Sequence, residues 1–153
     1  MIAGPLLEDS PAPRVGVGVD VVDLERFRRV VERRPQVVAR LFTDGERAYA
    51  GRASEPTKRL AVRFAAKEAA MKVLGAGIGA VAFKEVEVLR DPDGAPRLVL
   101  SGSAADRAER LGFRLWHVSL SHSDLVAVAS VIGERGSSEP GSAEPASAGK
   151  LLA

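Results

Sequence analysis

One acidic residue, Asp20, interrupts a run of valines and glycines in the segment GVGVDVV, residues 16–22. A charge on a strand that looks buried is costly unless a cation or hydrogen-bond donors meet it. Asp20 could instead cap a turn before the next helix, although Asp23 is better placed as the N-cap. We therefore expect either a cation or hydrogen-bond donors to meet Asp20.

A second acidic candidate, Glu68, lies in RFAAKEAAMKVLGAG, residues 63–77. Glu68 and Lys72 have the spacing of an ordinary surface ion pair, which is worth about 0.3–0.5 kcal/mol. However, apolar residues on two sides of this segment predict a largely covered helix, on which charged groups usually meet another charge. Lys67 falls inside one apolar stripe, so it either pairs with a nearby opposite charge or extends its ammonium outward to solvent.

Two polar segments could contact phosphate. Gly75, Gly77 and Gly79 resemble a phosphate cradle, but they follow a helix instead of opening one, and glycine commonly just ends a helix. The strand WHVSLSH leads through Ser121 to His122, and its hydroxyl-rich face either holds phosphate oxygens or simply faces solvent. The chain lacks a G-x-S-x-G motif, so a serine hydrolase is not supported.

Positive charge is concentrated in LERFRRVVERR, residues 24–34, which holds five arginines and two glutamates in a chain of formal net charge +2. At 100° per residue, Arg26, Arg29 and Arg33 share one face of a helix that turns its apolar side to the core. The pattern predicts an arginine stripe, which would attract an acidic partner. The patch is a single short helix and the chain has only seven aromatic residues, so nucleic acid is the less attractive partner.

The elements that position these residues follow from periodicity. Alternation predicts a strand over residues 15–22, and a long helix is expected over 57–74. A hairpin over 83–100, a short helix over 101–112 and two strands over 113–133 complete the chain. Because strands and helices do not alternate strictly, we expect an α+β fold with a mainly antiparallel sheet packed on the long central helix.

Composition limits the remaining possibilities. The 153 residues suit one domain, expected over 14–133, between a flexible N-terminal extension (1–13) and a disordered tail (134–153) rich in Ser, Gly, Pro, Ala and Glu. With no cysteine and two histidines, any metal would be held by carboxylates, which favours magnesium, manganese or calcium. We expect no secretory signal, because the segment MIAGPLLEDSPAP lacks a basic start and an adequate apolar run. We also expect a cytoplasmic protein without a membrane partner, because no apolar run approaches the roughly 20 residues that span a bilayer.

The segments GVGVDVVDLERF, RFAAKEAAMKVLGAGIG and HVSLSHS, in this order, resemble the small trimeric 4′-phosphopantetheinyl transferases, the holo-acyl-carrier-protein synthases. The resemblance covers about residues 14–133. It implies transfer of 4′-phosphopantetheine from coenzyme A to a serine of apo acyl carrier protein, with release of 3′,5′-ADP. It also implies a Mg²⁺ cofactor, a role in fatty acid biosynthesis and a homotrimer with sites at subunit interfaces.

Residue roles come from the same resemblance. It implies a catalytic group of Asp20, Glu68 and Lys72, in which the two carboxylates hold Mg²⁺. The coenzyme A contacts that it implies are Arg63, Lys72, Gly77, Pro96, Ser121 and His122. The arginine that grips the carrier protein is Arg26, and Arg29 and Arg33 extend its stripe. The general base stays open among Glu68, a metal-bound hydroxide and Asp124.

Two other functions remain possible at this point. The chain could be a non-catalytic binding module that docks an acidic protein through its arginine helix, or a Mg²⁺-dependent phosphotransferase acting on another nucleotide. Turnover with coenzyme A and Mg²⁺ would favour the transferase over both alternatives. Neither the type of carrier, fatty-acid or polyketide, nor the tolerance for acylated coenzyme A follows from the sequence.

Overall fold

The first strand, β1, spans Val15–Asp23 in the computed structural model, which describes residues 14–77 and 79–136. Its side chains alternate between two faces, as predicted, and Gly16, Gly18 and Asp20 share the inner one. These glycines leave no open space. A β-carbon on Gly18 would collide with the carbonyl oxygen of Ala69, and one on Gly16 would lie 2.7 Å from Phe113. Glycine therefore lets the strand and the central helix approach closely.

Three short helices follow β1. Helix α1 spans Leu24–Arg33 and is capped by Asp23, whose carboxylate accepts a hydrogen bond of 2.7 Å from the Arg26 amide. The predicted cap is thus confirmed. Helix α2 spans Gln36–Leu41, and helix α3 spans Asp44–Gly51 behind a capping box made by Thr43 and Glu46.

The central helix, α4, spans Pro56–Val73, close to the predicted 57–74. Eleven of its eighteen residues are buried, which confirms that it is covered on more than one side. Leu74 and Gly75 end it, and Gly75 takes the left-handed conformation with φ of 57°. Proline at the first helical position suits the beginning of α4, because the amide hydrogen that proline lacks has no partner there.

A small hairpin lies beyond the central helix. A short 3₁₀ turn, Phe83–Glu85, leads into β2, Val86–Arg90, which pairs antiparallel with β3, Pro96–Leu100. Helix α5 then spans Gly102–Arg110. These elements agree with the predicted hairpin and short helix, and β2 and β3 form a sheet of their own.

The main sheet contains three antiparallel strands in the order β1-β5-β4, where β4 spans Phe113–His122 and β5 spans Val126–Arg135. Helix α4 packs on the inner face of this sheet, which confirms the α+β class with an antiparallel sheet on a long central helix. β5 continues past the domain boundary expected at residue 133, since Glu134 pairs with Val15. The expected extension, 1–13, and the tail from residue 137 onward lie outside the described residues. Within the described part of the chain, no helix is both long and apolar enough to cross a bilayer.

Candidate active site

Asp20 and Lys72 meet at the contact between β1 and α4. The Lys72 ammonium donates to an Asp20 carboxylate oxygen at 3.0 Å and to the carbonyl oxygen of Val19 at 2.6 Å. Lys72 therefore pairs with Asp20, in place of the Glu68 partner that the i,i+4 spacing allows. The strand period turns Asp20 toward α4, and its carboxylate side chain is 19% exposed.

Glu68 lies one helical turn before Lys72 on α4 and faces the same cavity as Asp20. Burial raises the pKa of Glu68, the nearby negative charge of Asp20 raises it further, and Lys72 partly opposes both effects. The two carboxylates thus lie close enough for their charges to interact, Lys72 pairs with that of Asp20, and Glu68 is partly buried. Such a pair favours an additional cation.

A cavity of about 440 Å³ opens from these carboxylates toward α1 and α2. Its apolar wall includes Phe27 and Phe64, whose ring centroids are 5.7 Å apart. Arg26 lines this cavity and also a second one, of about 510 Å³, which is bounded by Arg29, Val30, Arg33 and Arg34. The arginine stripe therefore lies directly beside the carboxylates.

A second basic group surrounds Tyr49 of α3. The guanidinium of Arg63 lies 4.1 Å from the centroid of the Tyr49 ring, and those of Arg59 and Arg90 lie 5.7 and 6.0 Å away. Arg63 is 2% exposed, its burial lowers its pKa, and its Nε has no hydrogen-bond partner in the described part of the molecule. The arginine expected near coenzyme A is thus buried behind an aromatic ring.

The remaining predicted contacts are spread over the surface. His122 lines a depression of about 140 Å³ together with Lys58 and Arg59, whereas Ser121 points to the opposite face of β4. Gly77 is exposed after α4, and Pro96 begins β3. Strand β5 separates His122 from Asp20, which puts two inter-strand spacings, about 9–10 Å, between their strands.

The central helix itself divides the predicted residues into two groups. Arg63 and Glu68 are five residues apart, so they point about 140° away from each other around α4. The fold brings together Asp20, Glu68, Lys72 and Arg26 on one side. Within one chain, it does not bring them to Arg63 and His122.

Asp124, one of the three candidates for the general base, lies in the turn between β4 and β5. Its side chain is 98% exposed and pairs with Lys58 at 3.3 Å. The geometry of the described residues therefore associates Asp124 with Lys58 and not with the paired carboxylates.

The sequence allowed that Lys67 meets a nearby charge, but it did not identify Glu46 as the partner in a buried ion pair next to the site. Lys67 does not extend outward: it is fully buried, and its ammonium lies 2.8 Å from Glu46 and donates to the carbonyl oxygens of Phe83 and Val86. Burial lowers the pKa of Lys67, and the negative charge of Glu46 opposes that change. The available signals were the position of Lys67 inside an apolar stripe and the third-position glutamate of the Thr43 capping box. The pair fastens α4 to α3 and β2 at Lys67, the residue directly before Glu68.

Comparisons with known proteins identify the family. A family model of the 4′-phosphopantetheinyl transferase superfamily matches residues 16–129. The chain belongs to this superfamily. Among its relatives, the holo-[acyl-carrier-protein] synthase of Salinispora arenicola is 46% identical over 121 residues, covering 79% of this chain and 98% of the relative.

Solved structures of the same superfamily share the fold. The holo-[acyl-carrier-protein] synthase of Neisseria meningitidis superposes with a TM-score of 0.72 at 33% identity, over 78% of this chain and 98% of the other. The Bacillus anthracis synthase, solved in complex with coenzyme A (3′,5′-ADP), gives a TM-score of 0.66 at 35% identity, over 79% and 96%.

The paired carboxylates suit magnesium better than a metal that needs a full set of protein ligands. In residues 14–77 and 79–136 no three or more histidine, aspartate or glutamate side chains cluster as a metal site. Mg²⁺ is usually held by one or two carboxylates, with substrate phosphates and water completing an octahedron. Asp20 and Glu68, which line the same cavity, match that donor set.

Proposed function

We propose that this chain transfers 4′-phosphopantetheine from coenzyme A to a serine of apo acyl carrier protein and releases 3′,5′-ADP. The observation that carries the proposal is the convergence of Asp20, Glu68 and Lys72 beside the arginine stripe. The names of the relatives and the coenzyme A complex of the Bacillus anthracis synthase support it.

Asp20 and Glu68 are proposed to hold Mg²⁺. When bound, the ion would offset the negative charge of the pyrophosphate and orient it for in-line attack. Lys72 supplies a further positive charge next to the two carboxylates, where the leaving nucleotide phosphate gains negative charge. Its hydrogen bonds to Asp20 and to the Val19 carbonyl oxygen support this role, because they hold the ammonium at the site before a substrate arrives.

The stripe of Arg26, Arg29 and Arg33 is proposed as the docking surface for the carrier protein. All three side chains are exposed and line one cavity, which continues into the apolar groove at Asp20. An acidic helix with some apolar residues complements both parts of this surface. Charge complementarity of this kind mainly raises the association rate and the specificity.

Arg63, Lys72, Gly77, Pro96, Ser121 and His122 are proposed to contact coenzyme A. Because Arg63 and Glu68 point to opposite sides of α4, one bound coenzyme A would need side chains from two chains. This division supports a homotrimer with each site between neighbouring subunits. The exposed outer face of the main sheet supports it too, since Val15, Val17, Val19 and Val21 are 46–62% exposed there.

The domain limits and the location also belong to the proposal. We propose that residues 14–133 with the end of β5 form the transferase domain, flanked by the extension and the tail, and that the protein acts in the cytoplasm. The type of carrier, fatty-acid or polyketide, is left to experiment.

The decisive experiment incubates the full chain with apo carrier protein, coenzyme A and Mg²⁺ and follows the carrier by mass spectrometry. We expect the mass of the carrier to increase by one 4′-phosphopantetheine arm, and 3′,5′-ADP to form in equal amount. Binding of the carrier without any mass change would favour the non-catalytic binding module. Turnover of a different nucleotide with none of coenzyme A would favour another phosphotransferase.

A further inference from the structure

The end of the central helix is built around Gly75. The Ala76 amide donates to the carbonyl oxygen of Met71 at 2.9 Å, and the Gly75 amide donates to that of Lys72 at 3.1 Å. These two bonds form a Schellman motif, which stops α4 and turns the chain sharply toward Gly77. Lys72 therefore belongs to the last turn of the helix, and its backbone is part of the motif that sets the direction of the following residues.

Arg107 of α5 closes this helix end from outside. Its Nε donates to the Leu74 carbonyl oxygen at 2.7 Å, and one of its terminal nitrogens donates to the Gly75 carbonyl oxygen at 2.8 Å. Both oxygens lie where the helix leaves carbonyl groups without partners and where its dipole is negative. A guanidinium can serve both at once, because its donors have a fixed planar geometry.

Helix α5 is itself fastened at its other end. The Glu85 carboxylate accepts hydrogen bonds from the backbone amide and the hydroxyl of Ser103, in the first turn of α5. Ala104 and Ala108 bury the inner side of the helix. Arg107 thus projects from a helix that is held both by its packing and by a charged group, so its guanidinium has a rigid base.

We propose that Arg107 is a positioning residue that holds the end of α4, and with it Lys72 and Gly77, in the arrangement that receives the phosphates of coenzyme A. This inference rests on the proposed function, because Lys72 and Gly77 are its expected phosphate contacts. Arg107 donates to Leu74 and Gly75 and so acts through the backbone. The side chains proposed to dock the carrier lie on α1, at a separate surface. Loss of Arg107 should therefore affect binding of coenzyme A and not binding of the carrier.

The test compares Arg107→Met, which keeps the aliphatic length and removes every donor, with Arg107→Lys, which keeps the charge but cannot bond both carbonyls well. Arg110→Met is the matched control, since Arg110 is an exposed arginine of the same helix. We expect Arg107→Met to raise the KM for coenzyme A on the order of tenfold, because small displacements of positioning groups have large effects. The KM for the carrier should change less than about twofold. The KM of Arg107→Lys for coenzyme A should lie between the values of wild type and Arg107→Met.

Two measurements that need no turnover accompany the kinetics. Titration calorimetry should show weaker binding of coenzyme A to Arg107→Met by a similar factor. Hydrogen exchange in that variant should become faster at the amides of Gly75 and Ala76, whose hydrogen bonds form the motif, and stay unchanged in Arg110→Met. If Arg107→Met does not fold, the Arg107→Lys variant gives the same three readouts.

Different failures point to different errors. The inference is overturned if Arg107→Met lowers only the melting temperature and leaves the KM for coenzyme A at the wild-type value. It is also overturned if the KM for the carrier rises as much, or if Arg110→Met has the same effect. A wild-type protein that neither binds coenzyme A nor modifies a carrier contradicts the proposed function. Unchanged exchange at the amides of Gly75 and Ala76 in Arg107→Met contradicts only the clamp by Arg107.

Discussion

At the scale of single residues, Asp20 and Glu68 share a nearby positive charge, that of Lys72. The Lys72 ammonium lies 3.0 Å from the Asp20 carboxylate. Glu68 is not paired with it, and burial together with the negative charge of Asp20 raises the pKa of Glu68. A divalent cation at this point would favour the ionised form of both groups. It is therefore the two carboxylates together, and neither one alone, that indicate a cation site.

Replacing Glu68 by glutamine tests this arrangement directly. Glu68→Gln keeps the size of the side chain and removes the charge, so we expect the transfer rate to fall on the order of a hundredfold and the Mg²⁺ requirement to rise. Glu109→Gln, an exposed change on α5, serves as the control. A wild-type rate for Glu68→Gln at limiting Mg²⁺ would rule out its role as a metal ligand.

Reversal of one arginine tests the docking surface. Arg29→Glu should raise the KM for the carrier several-fold and leave the KM for coenzyme A nearly unchanged, because Arg29 belongs to the stripe and is not among the proposed coenzyme A contacts. The effect should shrink as salt is added. Arg28→Glu is the matched control on the same helix, since Arg28 lies off the stripe, while Arg28 and Arg29 both approach Glu25, at 2.9 and 3.9 Å. Equal changes in both KM values would contradict the docking role.

At the scale of elements, α4 is held in place by polar contacts as well as by apolar packing. Lys67 and Glu46 have no solvent exposure, and together they contact α3, the 3₁₀ turn and β2. A fully buried pair of this kind adds little net stability by itself, but breaking it is costly. Its contribution is to fix the position of α4, from which Glu68 and Lys72 project.

Removal of one member of the pair should destabilise the fold strongly. We expect Lys67→Met to lower the free energy of unfolding by about 3–5 kcal/mol, because Glu46 is left buried without a counter-charge. The double variant Glu46→Leu/Lys67→Met should recover part of that loss. Urea unfolding of both single variants and the double variant gives the coupling energy, and strictly additive effects would argue against a coupled pair.

The hydrogen bonds of Glu85 at the beginning of α5 should make the stability of the fold depend on pH. Hydrogen bonds from Ser103 lower the pKa of Glu85 in the folded protein. A carboxyl with a lowered folded pKa contributes stability above its unfolded pKa and loses that contribution as the pH falls through the folded value. Wild type should therefore lose more stability than Glu85→Gln between about pH 6 and about pH 3, as measured by thermal unfolding. Parallel losses would show that Glu85 contributes nothing.

At the scale of the whole molecule, the main sheet has one covered face and one open face. The inner face packs on α4 through glycines and alanines, while the outer face exposes the four valines of β1, together with Leu115 and Ile132. Exposed apolar area that is contiguous across strands marks an interaction surface. Since α4 directs the two groups of site residues to opposite sides, further copies of this chain are the proposed partners.

A charge placed on the open face tests the assembly. Val17 is 62% exposed in the single chain, so Val17→Asp should leave the fold of the subunit intact and shift sedimentation from the proposed trimer to monomer. Transfer activity should fall with it, because each site would lose the residues of the neighbour. Leu125→Asp, at an exposed apolar residue in the β4–β5 turn, is the control for assembly. A trimeric, fully active Val17→Asp protein would contradict the proposal.

Much of the fold follows from local patterns in the sequence. Alternation defines β1, the N-cap at Asp23 starts α1, and Gly75 ends α4, because each depends on residues close in the chain. The identity of Asp20, Glu68 and the arginine stripe as candidates also required only residue type and spacing. What these patterns lack is the distance between residues far apart in sequence.

Tertiary structure alone decided which charges meet. Spacing offered Lys72 a partner in Glu68, but the close approach of β1 to α4 at Gly18 brings Asp20 to it instead. Lys67 was expected either to meet a charge or to extend outward, and only the packing of α3 supplied Glu46. Periodicity determines the face on which a side chain lies, whereas its partner on that face depends on how separate elements pack. For this reason residue type and spacing predicted the candidate site residues but not which of them pair.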